Sequence, residues 1–214
     1  MLCRGVDDGR RTFANTLKYI SITTSANFGN MVSMALATPL LPFLPLAAKQ
    51  ILLNNFLSDL PSIAIATDSV DAEDVARARR WDVVEVRRFM VVFGLTSTVF
   101  DLLTFFVLLR VFEATESVFQ TAWFVVSLLT ELAVVLVLRT HGPTLRSVPG
   151  RVLLWTTVAV AAFSVGVPYL APFAGIFGFV ALPWPLLGAT IAIVVGYILA
   201  TELAKRWFYR RRQR

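Results

Sequence analysis

The stretch "NNFLSDLPSIAIATD", from Asn54 to Asp68, places two Asn, an Asp and a Pro within eight residues of an otherwise apolar run. Asn55 and Asp59 are four apart, so on a helix they share a face. An Asp at the centre of a membrane helix costs about 2.5–3.5 kcal/mol, which calls for a partner or a ligand. Pro61 has no N–H to give the Leu57 carbonyl, and its ring strains the turn before it. The helix is therefore expected to break beside Asp59 and to free a carbonyl near Leu57. Broken helices at membrane depth are tolerated where they line a cavity or an ion site. A second pair lies upstream in "SANFGN": Asn27 and Asn30, three apart, again neighbours on one helix face. Gly29 between them lets another helix approach closely. The amide oxygens of Asn27, Asn30 and Asn55, the Asp59 carboxylate and a carbonyl near Leu57 form a set of hard oxygen ligands suited to a cation. The competing reading is that these groups hydrogen-bond helix to helix as packing glue. An Asn-Asp pair followed by Pro and facing an Asn pair favours the cation site.

Other polar residues are weighed singly. Asp101 in "STVFDLLTF" lies near Thr98 and Thr104. It could bind a cation or a proton, or make a structural hydrogen bond to another helix. Glu131 in "LLTELAVV" has the same two readings, with the structural one ahead. Glu202 beside Lys205 reads as a surface pair. Lys49 reads as snorkelling to an interface, with an internal ion pair as the alternative. His141 has no Cys or acid at metal-ligand spacing and reads as solvent-exposed. Cys3 is the sole Cys, so no disulfide forms within the chain.

The elements that position these residues are long apolar blocks. Of 214 residues, 57% are hydrophobic, and the excess comes in blocks rather than in alternation. Six spans of about 20 residues each are expected, enough to cross a hydrocarbon core at 1.5 Å per residue. They run from Thr16 to Ala37, Leu46 to Ala66, Phe89 to Phe112, Phe119 to Leu138, Val152 to Leu170 and Pro185 to Leu203. "TPLLPFLP" (Thr38 to Pro45) reads as a hairpin between the first two. "LAPFAGIFGFVALPWP" links the last two near the interface, with Trp184 as an anchor. Barrel strands would be half as long and would alternate. The fold class is thus an all-α membrane protein, a six-helix transmembrane bundle.

Charge gives the orientation. The net charge of +6 lies between the blocks. Arg4, Arg10, Arg11 and Lys18 precede the first span. Arg77, Arg79, Arg80, Arg87 and Arg88 follow the second, and Arg139, Arg146 and Arg151 follow the fourth. Lys205, Arg206, Arg210, Arg211, Arg212 and Arg214 end the chain. With six crossings all lie on one side, and both termini are expected in the cytoplasm of a cell whose inner (plasma) membrane holds the chain. The loop Asp68 to Arg88 reads as a solvated segment with room for a short surface helix. The tail "KRWFYRRRQR" reads as an anchor for anionic lipids, at about 1 kcal/mol per basic residue. A nucleic-acid partner is not expected, because no soluble basic domain exists to hold the contacts. The polar start "MLCRGVDDGRR" is not a signal peptide.

These residues carry a resemblance. "DGRRTFANTLKYISITTSANFGNM" resembles the stalk and fifth transmembrane helix of P-type cation pumps, and "LPFLPLAAKQILLNNFLSDLPSIAIATD" resembles their sixth. The shared features stand at Pro45, Gln50, Asn55, Asp59, Pro61, Ala66 and Asp68. "RRWDVVEVRRFMVVFGLTSTVFDLLTF" is similar to the magnesium-translocating branch, through Arg88 to Met90 and Ser97 to Phe105, and "FQTAWFVVSLLTELAVVLVLRT" continues the likeness. It covers nearly the whole chain. It implies the carboxy-terminal half of such a pump, its fifth to tenth helices. Residues 1–15 correspond to the end of the phosphorylation domain and the stalk start, 16–203 to the six-span domain and 204–214 to a basic cytoplasmic tail. It implies a transport site at Asn55 and Asp59, with Asn27 and Asn30 on the fifth helix. Where a calcium pump has Glu, this chain has Asn30. A single carboxylate suits a cation kept partly hydrated, as Mg²⁺ prefers.

The family's phosphorylated Asp-Lys-Thr-Gly-Thr motif, its Thr-Gly-Glu loop and its Gly-Asp-Gly hinge are absent from these 214 residues. Phosphoryl transfer needs a nucleophile, metal ligands and a phosphate cradle, so ATP hydrolysis by this chain alone is excluded. The expectation is the cation-binding half of a magnesium importer, truncated or split, reaching ATP only through a separate catalytic half. The alternative is a free-standing six-span subunit, regulator or passive cation path.

Overall fold

The computed structural model describes residues 2–71, 75–76 and 80–212, with side chains from 5 to 210 within those ranges. Of the basic residues above, Arg77, Arg79 and Arg214 lie outside the described residues, as do the side chains of Arg4, Arg211 and Arg212 and part of the expected surface helix after Asp68. Among the described residues there is no strand. We number the helices α1 (Leu2–Ala37), α2 (Ala48–Ala64), α3 (Val83–Phe106), α4 (Glu116–Leu138), α5 (Arg151–Gly166), α6 (Ala171–Phe177) and α7 (Trp184–Arg212). Short 3-10 turns extend α2 over Ile65–Thr67 and α5 over Val167–Tyr169. A wider π-type turn extends α3 over Val107–Val111.

Local chemistry sets several boundaries. Asp82 caps α3, its Oδ1 accepting the N–H groups of Val84 (2.9 Å) and Glu85 (3.2 Å). Gly178 ends α6 in the left-handed region (φ 73°), where a side chain would be strained. At the start of α2, Gln50 accepts the Ala47 N–H (3.0 Å) and donates to the Phe177 carbonyl (3.0 Å).

Helix α4 is the axis of the bundle. Most of its length is buried, with Phe119, Ala122, Trp123, Phe124 and Leu128 at 0–1% exposure. It packs against α1, α2, α3, α5 and α7. Aromatic contacts knit the bundle at both ends: Phe105 on Trp123 (4.8 Å) at one, Phe89 and Phe93 on Phe208 (5.8 and 5.7 Å) at the other. The outer faces are apolar too: Leu52, Phe56, Val99, Phe106, Trp155 and Leu199 are all more than half exposed. In water such a surface would drive association, whereas in a bilayer it is the proper boundary.

Four segments are long and apolar enough to cross a membrane: Val83–Val111, Glu116–Leu138, Arg151–Tyr169 and Trp184–Arg210. Helices α1 and α2 do not meet that measure. The first carries Ser, Thr and Asn along its second half, and the second is 17 residues long with two Asn and an Asp.

Two local expectations are corrected. The Glu202–Lys205 pair forms (2.8 Å), but it is not a surface pair. The Lys205 side chain is fully buried and also donates to the Val137 carbonyl (2.9 Å) and the Thr144 hydroxyl (2.8 Å), tying α7 to the end of α4. His141 is half-buried, its ring against Tyr209 (4.6 Å) and its backbone N–H donating to the Asp71 carboxylate (3.1 Å). Lys49 is exposed, as the snorkelling reading has it, and its amine donates to the Ile176 carbonyl (2.5 Å) at the end of α6, whose last carbonyls lack helical donors. Helix α7 continues unbroken through Arg212, because Phe208 packs on Phe89 and Phe93.

Candidate cation site

Helix α1 brings Asn27 and Asn30 to α2, and α4 closes the space behind them. Asn27, Asn55, Ser58, Asp59 and Glu131 line one cavity of about 170 Å³. Asn27, Asn30, Asn54, Asn55, Trp123 and Ser127 line a second, of about 290 Å³, on the side nearer Leu46. Asn27 and Asn55 belong to both, so they form the wall between the two. The four sequence-predicted ligands are thus gathered: Asn27, Asn55 and Asp59 around the first cavity, and Asn30 at the second.

Glu131 makes the interhelical hydrogen bonds that its structural reading called for, and it also lines the first cavity. It is 8% exposed and sits at the meeting of three helices. Its Oε1 accepts the amide N–H of Asn30, and both carboxylate oxygens lie 3.4 Å from the donating amide of Asn54. The site therefore holds two carboxylates rather than one, Asp59 from α2 and Glu131 from α4. Asn54 was missed. It points about 100° away from Asn55 around α2, which turns it inward to Glu131 while Asn55 faces the cavity. The doubled Asn was the only signal in the sequence, and it does not say which of the two turns inward.

The expected break at Pro61 is not seen. Helix α2 runs through Pro61 to Ala64. Pro61 falls in the last turn, where the loss of one backbone hydrogen bond does not interrupt the helix; nearby, Ser58 donates to the Asn55 carbonyl (3.1 Å) and Ser62 to the Ser58 carbonyl (2.9 Å). Pro61 still gives no N–H to the Leu57 carbonyl.

Asp101 takes the structural role. It is 2% exposed, accepts from the Ser33 hydroxyl (2.6 Å) and the Trp123 indole N–H (3.0 Å), and so joins α1, α3 and α4. Among the described residues no three of His, Cys, Asp and Glu gather as a metal cluster. The polar groups around the first cavity are instead two carboxylates among amides and the hydroxyls of Thr23, Ser58 and Ser62. All are oxygen donors, which suits Mg²⁺ or Ca²⁺ rather than zinc or copper.

Residues 43–207 match the family described as "Cation transporting ATPase, C-terminus". The chain belongs to this family. Among curated proteins, the P-type 1 magnesium-transporting ATPase of Salmonella typhimurium strain 14028s is 41% identical over 216 residues, covering 99% of this chain and 24% of the relative. The corresponding protein of Escherichia coli K12 is 40% identical over the same shares. A further magnesium-transporting ATPase of S. typhimurium strain LT2 is 34% identical, again over 99% and 24%. The chain spans about a quarter of the length of the curated relatives it matches. It is the carboxy-terminal membrane part of a cation-transporting ATPase, and its several apolar helices make it a multi-pass membrane protein.

Proposed function

We propose that this chain forms the transport site of a magnesium-translocating P-type pump, with Asp59, Asn55, Asn27 and Asn30 as ligands and Glu131 as a second carboxylate. The observation that carries the reading is the convergence of Asp59 and Glu131, from different helices, on one cavity walled by Asn27 and Asn55. Two negative charges at membrane depth match one divalent cation, and amides around them leave the ion part of its water. The relatives' printed names support Mg²⁺ as the cargo.

The chain crosses the membrane six times, α1 to α5 and α7, with both termini cytoplasmic and anionic lipids against the basic tail. Support comes from the basic residues and from contacts that join connecting segments at each end of the bundle. Arg10 donates to the Val75 carbonyl (3.0 Å) and Lys18 to the Ser69 carbonyl (2.8 Å), while Lys49 and Gln50 meet α6 at the other end. Asn27, Asn55 and Asp59 are exposed on the bundle's outer face. Lipid against that face would be costly, so a further membrane segment covers it. That segment belongs to the half that also carries the ATP chemistry.

The test is cation binding by this chain assembled in lipid nanodiscs with the half that carries the ATP chemistry. Mg²⁺ is expected to bind in preference to Ca²⁺, and Asp59→Asn to abolish binding. Equal binding by wild type and Asp59→Asn would remove Asp59 from the site, and a Ca²⁺ preference would remove magnesium as the cargo.

A further inference from the structure

The three helices that carry the cation site meet again further along. Lys18 stands nine residues before Asn27 on α1, Asp68 nine beyond Asp59 at the end of α2, and Arg139 eight beyond Glu131 at the end of α4. At about 1.5 Å per residue, and about 2.0 Å in a 3-10 turn, each lies roughly 12–15 Å along its helix from the site. There the three converge. Both Asp68 oxygens accept from Arg139 at 3.2 Å, and the Lys18 amine is 3.8 Å from one of them. We infer that Asp68 and Arg139 are positioning residues of the cation site, which set the spacing of Asn27, Asp59 and Glu131 and so the preference for a small divalent ion. This rests on the reading of those three residues as lining the transport site.

The node is held from every side. The side chains of Arg139 and Asp68 are 1% and 0% exposed. Asp68 also accepts the Gly150 N–H (2.9 Å) at the start of α5, where a Cβ on Gly150 would come within 3.1 Å of the Thr67 carbonyl oxygen. The Asn15 amide on α1 donates to the backbone carbonyls of Ala66 (3.2 Å) and Asp68 (3.0 Å), and Lys18 donates to that of Ser69 (2.8 Å). Arg139 gives its other terminal nitrogen to the Ser147 carbonyl and hydroxyl. The end of α2 therefore cannot part from α1 or α4 without breaking several of these bonds together.

Stability alone is a poor reason for such a node. Taking two charges out of water costs about as much as their attraction returns, and a well-packed apolar pair of the same volume is often as stable. What the Asp–Arg pair adds is register: it has one geometry, whereas apolar side chains slide.

Register matters because the ligands come from different helices. Mg²⁺ takes oxygens at about 2.0–2.1 Å in a nearly ideal octahedron, while Ca²⁺ takes them at about 2.3–2.6 Å in a tolerant shell. A drift of a few tenths of an ångström between α2 and α4 is thus enough to favour the larger ion. Neither Asp68 nor Arg139 lines the cavity, so both act only through the helices they hold.

The experiment uses this chain assembled in lipid nanodiscs with the half that carries the ATP chemistry. Mg²⁺ and Ca²⁺ are titrated calorimetrically, and only the binding that Asp59→Asn removes is counted. Asp68→Asn keeps the shape and an oxygen for Gly150, and Arg139→Lys keeps the charge but loses the planar fork. Lys18→Met, at the more distant cation, is the mildest change. Asp68→Asn is expected to weaken Mg²⁺ about tenfold, as for groups that hold a metal's ligands in place, and Ca²⁺ less, so that the ratio of the two affinities falls. Arg139→Lys and Lys18→Met should move the ratio the same way by smaller factors. An unchanged ratio in the variants that assemble with native helicity, whether both affinities fall together or neither does, overturns the inference and leaves the node as part of the fold only. Wild-type Mg²⁺ binding by Asp59→Asn overturns the site reading itself, a failure that the Asp68 and Arg139 variants cannot produce.

Discussion

The hydroxyl of Ser33 and the carboxylate of Asp101 meet 2.6 Å apart across the α1–α3 contact, both almost wholly buried. Trp123 donates to the other Asp101 oxygen (3.0 Å), so one side chain fixes three helices. Ser33 stands three residues beyond Asn30, and Trp123 lies eight before Glu131. The hub therefore sets the spacing of two helices that carry the site. Asp101→Ala strands the Trp123 N–H in a dry interior, at about 1–3 kcal/mol, while the Ser33 hydroxyl keeps the Gly29 carbonyl (2.9 Å). Thermal unfolding in detergent should show a clear loss for Asp101→Ala and a smaller one for Asp101→Asn, which keeps an oxygen for Trp123. Equal stability of Asp101→Ala and wild type would contradict the hub.

Gly29 and Gly94 mark where α1 and α3 press together. A Cβ on Gly29 would stand 2.9 Å from the Gly94 carbonyl oxygen, a backbone atom that cannot swing aside. At Gly166 a Cβ would meet nothing within 4 Å. Gly29→Ala should therefore destabilise by about 1–3 kcal/mol, the usual cost of overpacking, despite Ala's better helix propensity. Gly166→Ala should be neutral or slightly stabilising. The two midpoints measured side by side decide the matter. Gly29→Ala should also weaken cation binding, because Asn27 and Asn30 ride on the same turn.

How far the site could be read from sequence differs from residue to residue. The spans were legible because hydrophobic blocks and helix ends coincide: the first span was expected to close at Ala37 and the fourth at Leu138, where α1 and α4 end. The convergence of Asn27, Asn30, Asn55 and Asp59 was legible through i, i+3 and i, i+4 spacing, which fixes a helix face. Glu131 was ambiguous because a lone mid-span carboxylate has no internal register to say which helices it meets. The continuity of α2 through Pro61 was misjudged because a proline removes a single hydrogen bond, which the last turn of a packed helix tolerates without breaking. Arg139 was counted as a loop charge, and only tertiary structure reveals that it is 1% exposed.

That arginine anchors a buried ion pair. Asp68 accepts from Arg139 at 3.2 Å with both oxygens, and from the Gly150 N–H at 2.9 Å, while Lys18 stands 3.8 Å away. Arg139 also donates to the Ser147 carbonyl and hydroxyl. Removing one partner of a buried pair leaves an uncompensated charge, at about 3–5 kcal/mol. Arg139→Met should therefore be strongly destabilising, and Arg139→Met combined with Asp68→Asn less so than the single change. A double-mutant cycle of unfolding midpoints checks this, and additive losses would mean that the two groups are not coupled.

Glu131 offers the cleanest separation of fold from function. Its carboxylate receives amide donors from α1 and α2 and faces the cavity shared with Asp59. Glu131→Gln keeps the length and one acceptor oxygen, so Asn30 or Asn54 retains a partner and the unfolding midpoint should move little. The negative charge is lost, and with it half of the charge that opposes a divalent ion. Mg²⁺ affinity should fall about tenfold or more, since a hydrogen bond or contact to a charged group contributes about 1.5–3 kcal/mol. Glu131→Asp keeps the charge on a shorter arm that no longer reaches both amides, and should lose stability more than Glu131→Gln does. Calorimetric titration with Mg²⁺ and thermal unfolding on the same three proteins distinguish the roles. If Glu131→Gln bound Mg²⁺ as wild type does, Glu131 would be an anchor for the two asparagines and Asp59 would be the sole charged ligand.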